Sequence, residues 1–273
     1  MKYKVHRFQA SEMGLAVNAH IVESENGLVV VDATLLQSDS LNLASRIAAL
    51  GKPIIAILIT HAHPDHVAGL VNLVEHHSPP IFATKAVIDL MHKTESAKHE
   101  QWAGVFGEEW INAWTFPNEI VAHEDTLTFD GLNYTVFDIG GGGDCEANSI
   151  WVLENSRPEV FAGDIIYNEN FTYMNDGQIL RWIANLERYR DLLMKAGNIH
   201  IGHGPSGGSE LVDQQINYLN DYSSTLLDTM NGHHQLDEDT TNQFVKRMTA
   251  KYPRYGLEFM LGLSAAKVAG ELI

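Results

Sequence analysis

The sequence predicts a mixed α/β fold, and three observations carry that prediction. Strand-length apolar runs alternate with segments of helical periodicity between residues 28 and 93, the rhythm of a sheet covered by helices. The run Pro53 to Thr60 reads as a buried strand. It leads directly into His61-Ala62-His63-Pro64-Asp65-His66 and then into the helical stretch Val67 to Val74. In the second half, turn signals separate further alternating runs before the pattern becomes helical to the end.

In chain order, Ala16 to Glu23 alternates as a strand, Asn26-Gly27 signals a hairpin, and Leu28 to Asp32 is a buried strand ending on a carboxylate. Ser40 to Leu50 has helical spacing, which Gly51-Lys52-Pro53 stops. After the hexapeptide come a short strand, Ile81 to Thr84, and a helix, Ala86 to Lys93. His76, His77 and His92 read as surface residues. Residues 94–118 carry Trp102, Phe106, Trp110, Trp114 and Phe116, partly at helical spacing. Helix packing on the core is the preferred reading, and an aromatic wall over the site is the alternative. Asp125 to Phe129 and Tyr134 to Ile139 form a hairpin around Gly131. Four glycines, Gly140 to Gly143, then precede Asp144-Cys145-Glu146-Ala147-Asn148-Ser149 and the strand Ile150 to Leu153. Val160 to Asp164 is a strand, Ile179 to Lys195 a helix, and Ile199 to Pro205 a strand and turn in which His200 faces away from His203. Helices are predicted over 210–230, 237–251 and 257–272, the second opened by an acidic cap. The division is thus an α/β domain over 1–209 and helices over 210–273 packed on the same domain, covering the cleft or mediating a homodimer.

The hexapeptide is where chemistry concentrates. Three imidazoles and a carboxylate stand at the carboxyl end of a buried strand, where open α/β sheets place their sites. Imidazole and carboxylate suit zinc, iron and manganese. Residues two apart in an extended segment point the same way, so His61 and His63 can grip one metal. The turn at Pro64 swings Asp65 and His66 towards a second position.

HxHxDH after a hydrophobic strand resembles the metallo-β-lactamase superfamily of metal-dependent hydrolases. The resemblance implies an αββα sandwich. Asp32, ending "VVVDA", is similar to a supporting residue of that family's metal site, with a strand-end cap as the alternative. Val160-Phe161-Ala162-Gly163-Asp164 resembles "FxGD", whose aspartate bridges two metals, and Ile201-Gly202-His203-Gly204 resembles "xxGHG", whose histidine completes the second site. Tyr167, three residues after Asp164, stands where some lactonases of the superfamily steady the substrate carbonyl; Phe171 and Tyr173 are expected at the mouth. One departure stands out. The Gly-rich loop lacks the usual metal histidine; either Asp144, Cys145 or Glu146 replaces it, with Asp144 placed ahead because it keeps the preceding glycine without a gap, or none of them binds metal and the first site is weak or empty. The implied first site is His61, His63 and Asp144 or Cys145; the second is Asp65, His66 and His203, with Asp164 bridging. One or two zinc ions are expected, with iron or manganese as alternatives. Such metals lower the pKa of bound water to about 7, and Asp65 or Asp164 would manage the proton.

Bulk properties narrow the partners. The 273 residues are 45% hydrophobic with a formal net charge of −17, so a grip on nucleic-acid phosphates is disfavoured and a nuclease with it. No basic run suggests anionic lipid, no run reaches the ~20 apolar residues of a membrane span, and residues 1–6 lack a signal-peptide core. Cys145 is the single cysteine, compatible with a reducing cytoplasm. A glyoxalase-type thioesterase and a flavin-linked diiron enzyme lack their accompanying motifs. The expected function is hydrolysis of an ester, lactone, thioester or amide in a small molecule. A non-catalytic metal-binding or redox-sensing protein, or a true β-lactamase, is the alternative; against the last, no lysine follows His203 to hold a drug carboxylate.

Overall fold

The computed structural model describes residues 2–75 and 78–273. The expectation for His76 and His77 lies outside the described residues. Six strands run in chain order across the first sheet: β1 (Lys4–Gln9), β2 (Asn18–Glu23), β3 (Leu28–Val31), β4 (Ile54–Leu58), β5 (Ile81–Thr84) and β6 (Glu119–Val121). The second sheet holds β7 (Thr126–Phe129), β8 (Leu132–Gly140), β9 (Asn148–Leu153), β10 (Glu159–Gly163) and β11 (Asn198–Ile201), in the spatial order β11-β10-β9-β8-β7. Helices α1 (Gln37–Ala48), α2 (Pro64–Val67), α3 (Leu70–Val74) and α4 (Lys85–Phe106) connect strands of the first sheet or follow them. Helices α5 (Ile179–Arg188), α6 (Arg190–Leu193), α7 (Glu210–Met230), α8 (Glu238–Lys251) and α9 (Phe259–Leu272) belong to the second half.

Side-chain alternation builds the layers. On β3, Val29 and Val31 face the other sheet, where they join Tyr134, Val136 and Trp151. Leu28 and Val30 point the opposite way, into the cluster formed with Leu43 and Ile47 of α1 and Val87 of α4. On β9 and β10, Ile150, Val152 and Val160 face the helices, clustering with Trp182 of α5, Tyr222 of α7, Phe244 of α8 and Val268 of α9. The result is an αββα sandwich. The period of two puts one apolar face against each neighbouring layer, and each fully buried large side chain contributes about 1.5–3 kcal/mol. Buried residues of the terminal helices α7, α8 and α9 share the apolar cluster of the second sheet.

Two strands escape sequence reading. β1 alternates between half-buried and exposed positions and pairs with β2 at the sheet margin; β6 has three residues. The segment read as one helix after the hexapeptide is two, because Gly69 separates α2 from α3, and α2 begins inside the hexapeptide with Pro64 at its first turn. α4 extends to Phe106, well past Lys93. Among the described residues, no helix is long and apolar enough to cross a membrane.

Two parallel pairs, β3 with β4 and β10 with β11, end at the same rim of the sandwich. There Ser149 donates from its backbone N and Oγ to the Thr60 carbonyl, each at 2.8 Å, and Trp151 Nε1 donates to the Ile59 carbonyl at 3.0 Å. Asn18 N donates to the Gly202 carbonyl at 2.7 Å. These bonds join strand ends of both sheets, and the candidate residues project between them.

Candidate metal centre

Thr60 closes β4 and organises the first imidazoles. Its backbone N donates to Asp32 Oδ1 at 2.8 Å and its hydroxyl to Asp32 Oδ2 at 2.7 Å. Asp32 adopts φ 60°, a left-handed conformation that returns its carboxylate under the strand ends. His66 Nδ1 lies 2.9 Å from Asp32 Oδ2, so it carries the proton and donates it. The single hydroxyl proton of Thr60 is committed to Asp32, which makes His61 Nδ1, at 3.0 Å from Thr60 Oγ1, a donor as well. Both rings therefore turn Nε2 to the centre. His203 is held from behind in the same way: its Nδ1 donates at 3.0 Å to the carbonyl of Leu15, itself at φ 62°.

The ligand-type atoms fall into two neighbouring groups. Asp65, His66, Asp164 and His203 form one; His61, His63 and Asp144 form the other. In each, the ligand atoms lie within 4.8 Å of one another, and all seven residues are buried. His203 Nε2 is 3.1 Å from Asp65 Oδ2 and 3.2 Å from Asp164 Oδ2, while His66 Nε2 is 3.3 Å from Asp164 Oδ1. Asp32 also falls within reach of His61 and His66, but both its oxygens are taken by Thr60 and His66 Nδ1. Glycine is required where the backbone passes closest. A Cβ on Gly202 would overlap Asp164 Oδ1.

Asp144 is the residue of the Gly-rich loop that turns inward. Wholly buried, it places Oδ2 2.9 Å from His63 Nδ1 and 3.7 Å from His61 Nε2. The loop is pinned by Asn148 Nδ2, donating to the carbonyls of Cys145 at 2.8 Å and Gly140 at 3.1 Å, and by Asn185 Nδ2, donating to Gly141 at 2.9 Å and Gly142 at 3.0 Å. Gly142, at φ 91°, makes the turn. The expectation for Cys145 is corrected: it belongs to none of the ligand groups and packs in the apolar cluster with Ala62, Ala147 and Met91. Glu146 points outward to Lys93 at 3.0 Å. Successive side chains along this loop face different ways, so only one of the three can meet His61 and His63.

Tyr167 joins the groups. Its hydroxyl donates to Asp164 Oδ2 at 2.7 Å and lies 3.2 Å from Asp144 Oδ2, and its ring stacks on His203 with centroids 5.1 Å apart.

The electrostatics suit a cation. Burial holds His61 well below the usual imidazole range, with His66 adding to the effect, so it is a neutral lone-pair donor. Burial pushes Asp144 up to about 6 against the pull of His63. Burial also works against charge on His203, but Asp164 and Asp65 outweigh it and raise it to about 10. Burial and the charges of Asp164 and Asp144 hold the Tyr167 phenol well above its ordinary value. Carboxylates and imidazoles this close need positive charge between them, which protons or a metal supply. The buried Nε2 atoms of His61, His63 and His66 and the Oδ1 atoms of Asp144 and Asp164 have no hydrogen-bond partner. Such orphaned atoms are costly unless a ligand satisfies them, and the nitrogen–oxygen donor set fits a divalent metal.

The centre forms the floor of a cleft of about 270 Å³. Trp102 and Phe106 line it, so the aromatic wall, which the sequence reading ranked second, is present; Trp110 and Trp114 are core, as the first reading has it. Tyr173 lines the cleft, edge-on to His63 with centroids 5.4 Å apart. Phe171 does not reach the mouth. It is 1% exposed and packs against Tyr218 and Tyr255. His92 is exposed and stacks on Phe116, and His200 turns to Glu159 at 2.8 Å. Sequence reading missed Lys98 and Asp176, which meet at 2.5 Å beside the cleft, Asp176 Oδ2 also lying 3.4 Å from His63 Nε2. Their separation of 78 residues left no local signal.

Solved metallo-β-lactamases share this fold. One from Pontibacter korlensis has a TM-score of 0.64 and 20% identity, covering 81% of this chain and 95% of that one. The B3 enzyme BLEG-1 has a TM-score of 0.64 and 18% identity, covering 79% and 99%. FIM-1 from Pseudomonas aeruginosa, solved in a mono-zinc form, has a TM-score of 0.59 and 20% identity, covering 80% and 89%. These likenesses concern the fold. YobT of Bacillus subtilis (strain 168), an uncharacterized protein, is 42% identical over 59 residues, so the match spans 22% of this chain and about a quarter (25%) of that relative. The profile of the Metallo-beta-lactamase superfamily matches residues 13–213, which include every residue of the two ligand groups, and the chain belongs to that superfamily.

Proposed function

We propose that this protein is a metal-dependent hydrolase acting on an ester, lactone, thioester or amide bond of a small molecule. Family membership and the buried His/Asp groups support the general reaction class. The observation that carries the reading is the set of imidazoles braced from behind, with Nε2 of His61 and His66 turned towards Asp144 and Asp164, whose buried Oδ1 atoms have no hydrogen-bond partner.

His61, His63 and Asp144 would hold one ion, and Asp65, His66, Asp164 and His203 a second. Zinc accepts this donor set, and so do iron and manganese. When bound, the metal supplies Lewis acidity and brings the pKa of water into the neutral range. The protein's residues supply the rest. Asp32, Thr60 and the Leu15 carbonyl keep the rings in one tautomer and one orientation. Tyr167 remains protonated, and its hydroxyl, now donating to Asp164, would turn that one proton to a substrate carbonyl oxygen as negative charge develops there. Burial opposes charge on Asp65, but His66 and His203 hold its carboxyl well below the usual range, so it is an ionised acceptor at neutral pH.

The test is metal content per chain combined with hydrolysis of a panel of activated esters, lactones and thioesters. About two ions per chain, with turnover lost on chelation and in a folded His63→Ala variant, is expected. Full metal loading with no turnover across the panel would return the protein to a metal-binding role without catalysis.

A further inference from the structure

The cleft above the centre is built for a particular kind of substrate. Its floor is ionic, but its walls come from separate apolar elements: Leu35 after β3, Trp102 and Phe106 on α4, and Phe259 and Met260 at the start of α9. Phe259 is 50% exposed, and Val105 beside the aromatic pair is 65% exposed. Large apolar side chains standing open at the rim of a polar centre are costly, and that cost is relieved when a ligand covers them. Charge on the wall points the same way. Lys98 is the one Lys or Arg among the described residues lining the cleft, and it is already bound to Asp176 at 2.5 Å. An anionic substrate would have to displace that carboxylate and would meet Glu12 nearby.

We propose that the cleft takes a neutral acyl group with an apolar chain, seated between Trp102 and Phe106 of α4 and Phe259 of α9, with its carbonyl at the floor beside Tyr167. The inference rests on the hydrolase reading, whose substrate class it names. It also gives the C-terminal helices a role: α9 supplies one wall of the site, so residues beyond the family's matched region, 13–213, select the substrate.

The test uses the metal-loaded protein with neutral p-nitrophenyl esters from acetyl to hexanoyl, and with succinyl esters carrying a free carboxylate. Binding of the neutral fluorophore N-phenyl-1-naphthylamine to the chelated protein is measured alongside. Burial of each methylene corresponds to a factor of about 4, so kcat/KM is expected to rise at least about tenfold from acetyl to hexanoyl. Phe259→Ser and Trp102→Ala should each flatten that series and weaken fluorophore binding. Phe259 is half exposed, so its replacement leaves the core intact, which circular dichroism checks. A flat series, or preference for the succinyl esters, would overturn the substrate class while leaving the hydrolase standing. Tight fluorophore binding, competed by hexanol and lost in Phe259→Ser, with no ester cleaved, would refute the hydrolase and keep the apolar site.

Discussion

The two halves of the metal centre are built differently. The group of Asp65, His66, Asp164 and His203 draws on three strand ends, and each imidazole is braced by a distant residue: His66 by Asp32, His203 by Leu15. The other group has two histidines from one strand end and a third member, Asp144, on a glycine-rich loop. That loop keeps its shape through two asparagine amides and a left-handed glycine. A braced half can lose a supporting bond and keep its geometry. A half that depends on one short carboxylate held by a loop has less in reserve. Asp144 is also the softer charge: burial pushes it up to about 6, whereas His66 and His203 hold Asp164 well below the usual carboxylate range despite its burial.

The largest effect should come from breaking the braced half. His66→Ala removes a ligand and leaves Asp164 Oδ1 without the imidazole beside it. About one ion per chain should be lost, and kcat/KM should fall by about 10²–10³, since a metal supplies several kcal/mol of transition-state stabilisation. Elemental analysis and steady-state kinetics would detect this; unchanged metal content would remove His66 from the ligand set. Next is Asp144→Ala, read beside Cys145→Ser. The first should weaken one of the two metal equivalents by more than about 100-fold, beyond what loss of a supporting residue costs. The second should leave both equivalents within about twofold, because Cys145 packs among apolar side chains. The reverse ranking, seen by competition with a chromogenic chelator, would put the thiolate back at the centre. A smaller effect than that of Asp144→Ala belongs to Asp32→Asn. The amide preserves shape but can present a donor to His66 Nδ1, so affinity at the braced half should fall by about 10–100-fold without loss of fold. A fall at the loop half instead would mean that Asp32 acts through Thr60 and His61.

The centre was legible in the sequence to the extent that its parts are local. His61, His63, Asp65 and His66 lie within one hexapeptide, and the extended segment before Pro64 and the turn after it bring their side chains together. Asp164 and His203 each close an apolar strand, a pattern that survives without coordinates. The Gly-rich loop was not legible in the same way. Asp144, Cys145 and Glu146 are all chemically able to bind metal, and which one faces inward depends on backbone angles that glycines leave free. Phe171 and Tyr173 show the same limit: two aromatics two residues apart, one in the core and one on the cleft.

The sequence by itself determined the α/β layering and the chemistry of the centre, because periodicity and residue type are properties of short stretches. Only the tertiary structure decided which loop carboxylate turns inward, that the Leu15 carbonyl braces His203, and that Lys98 is spent on Asp176. It also decided that α4 and α9 line one apolar cleft. Each of these is a contact between segments far apart in the chain, and such contacts are set by how the layers pack rather than by any local preference.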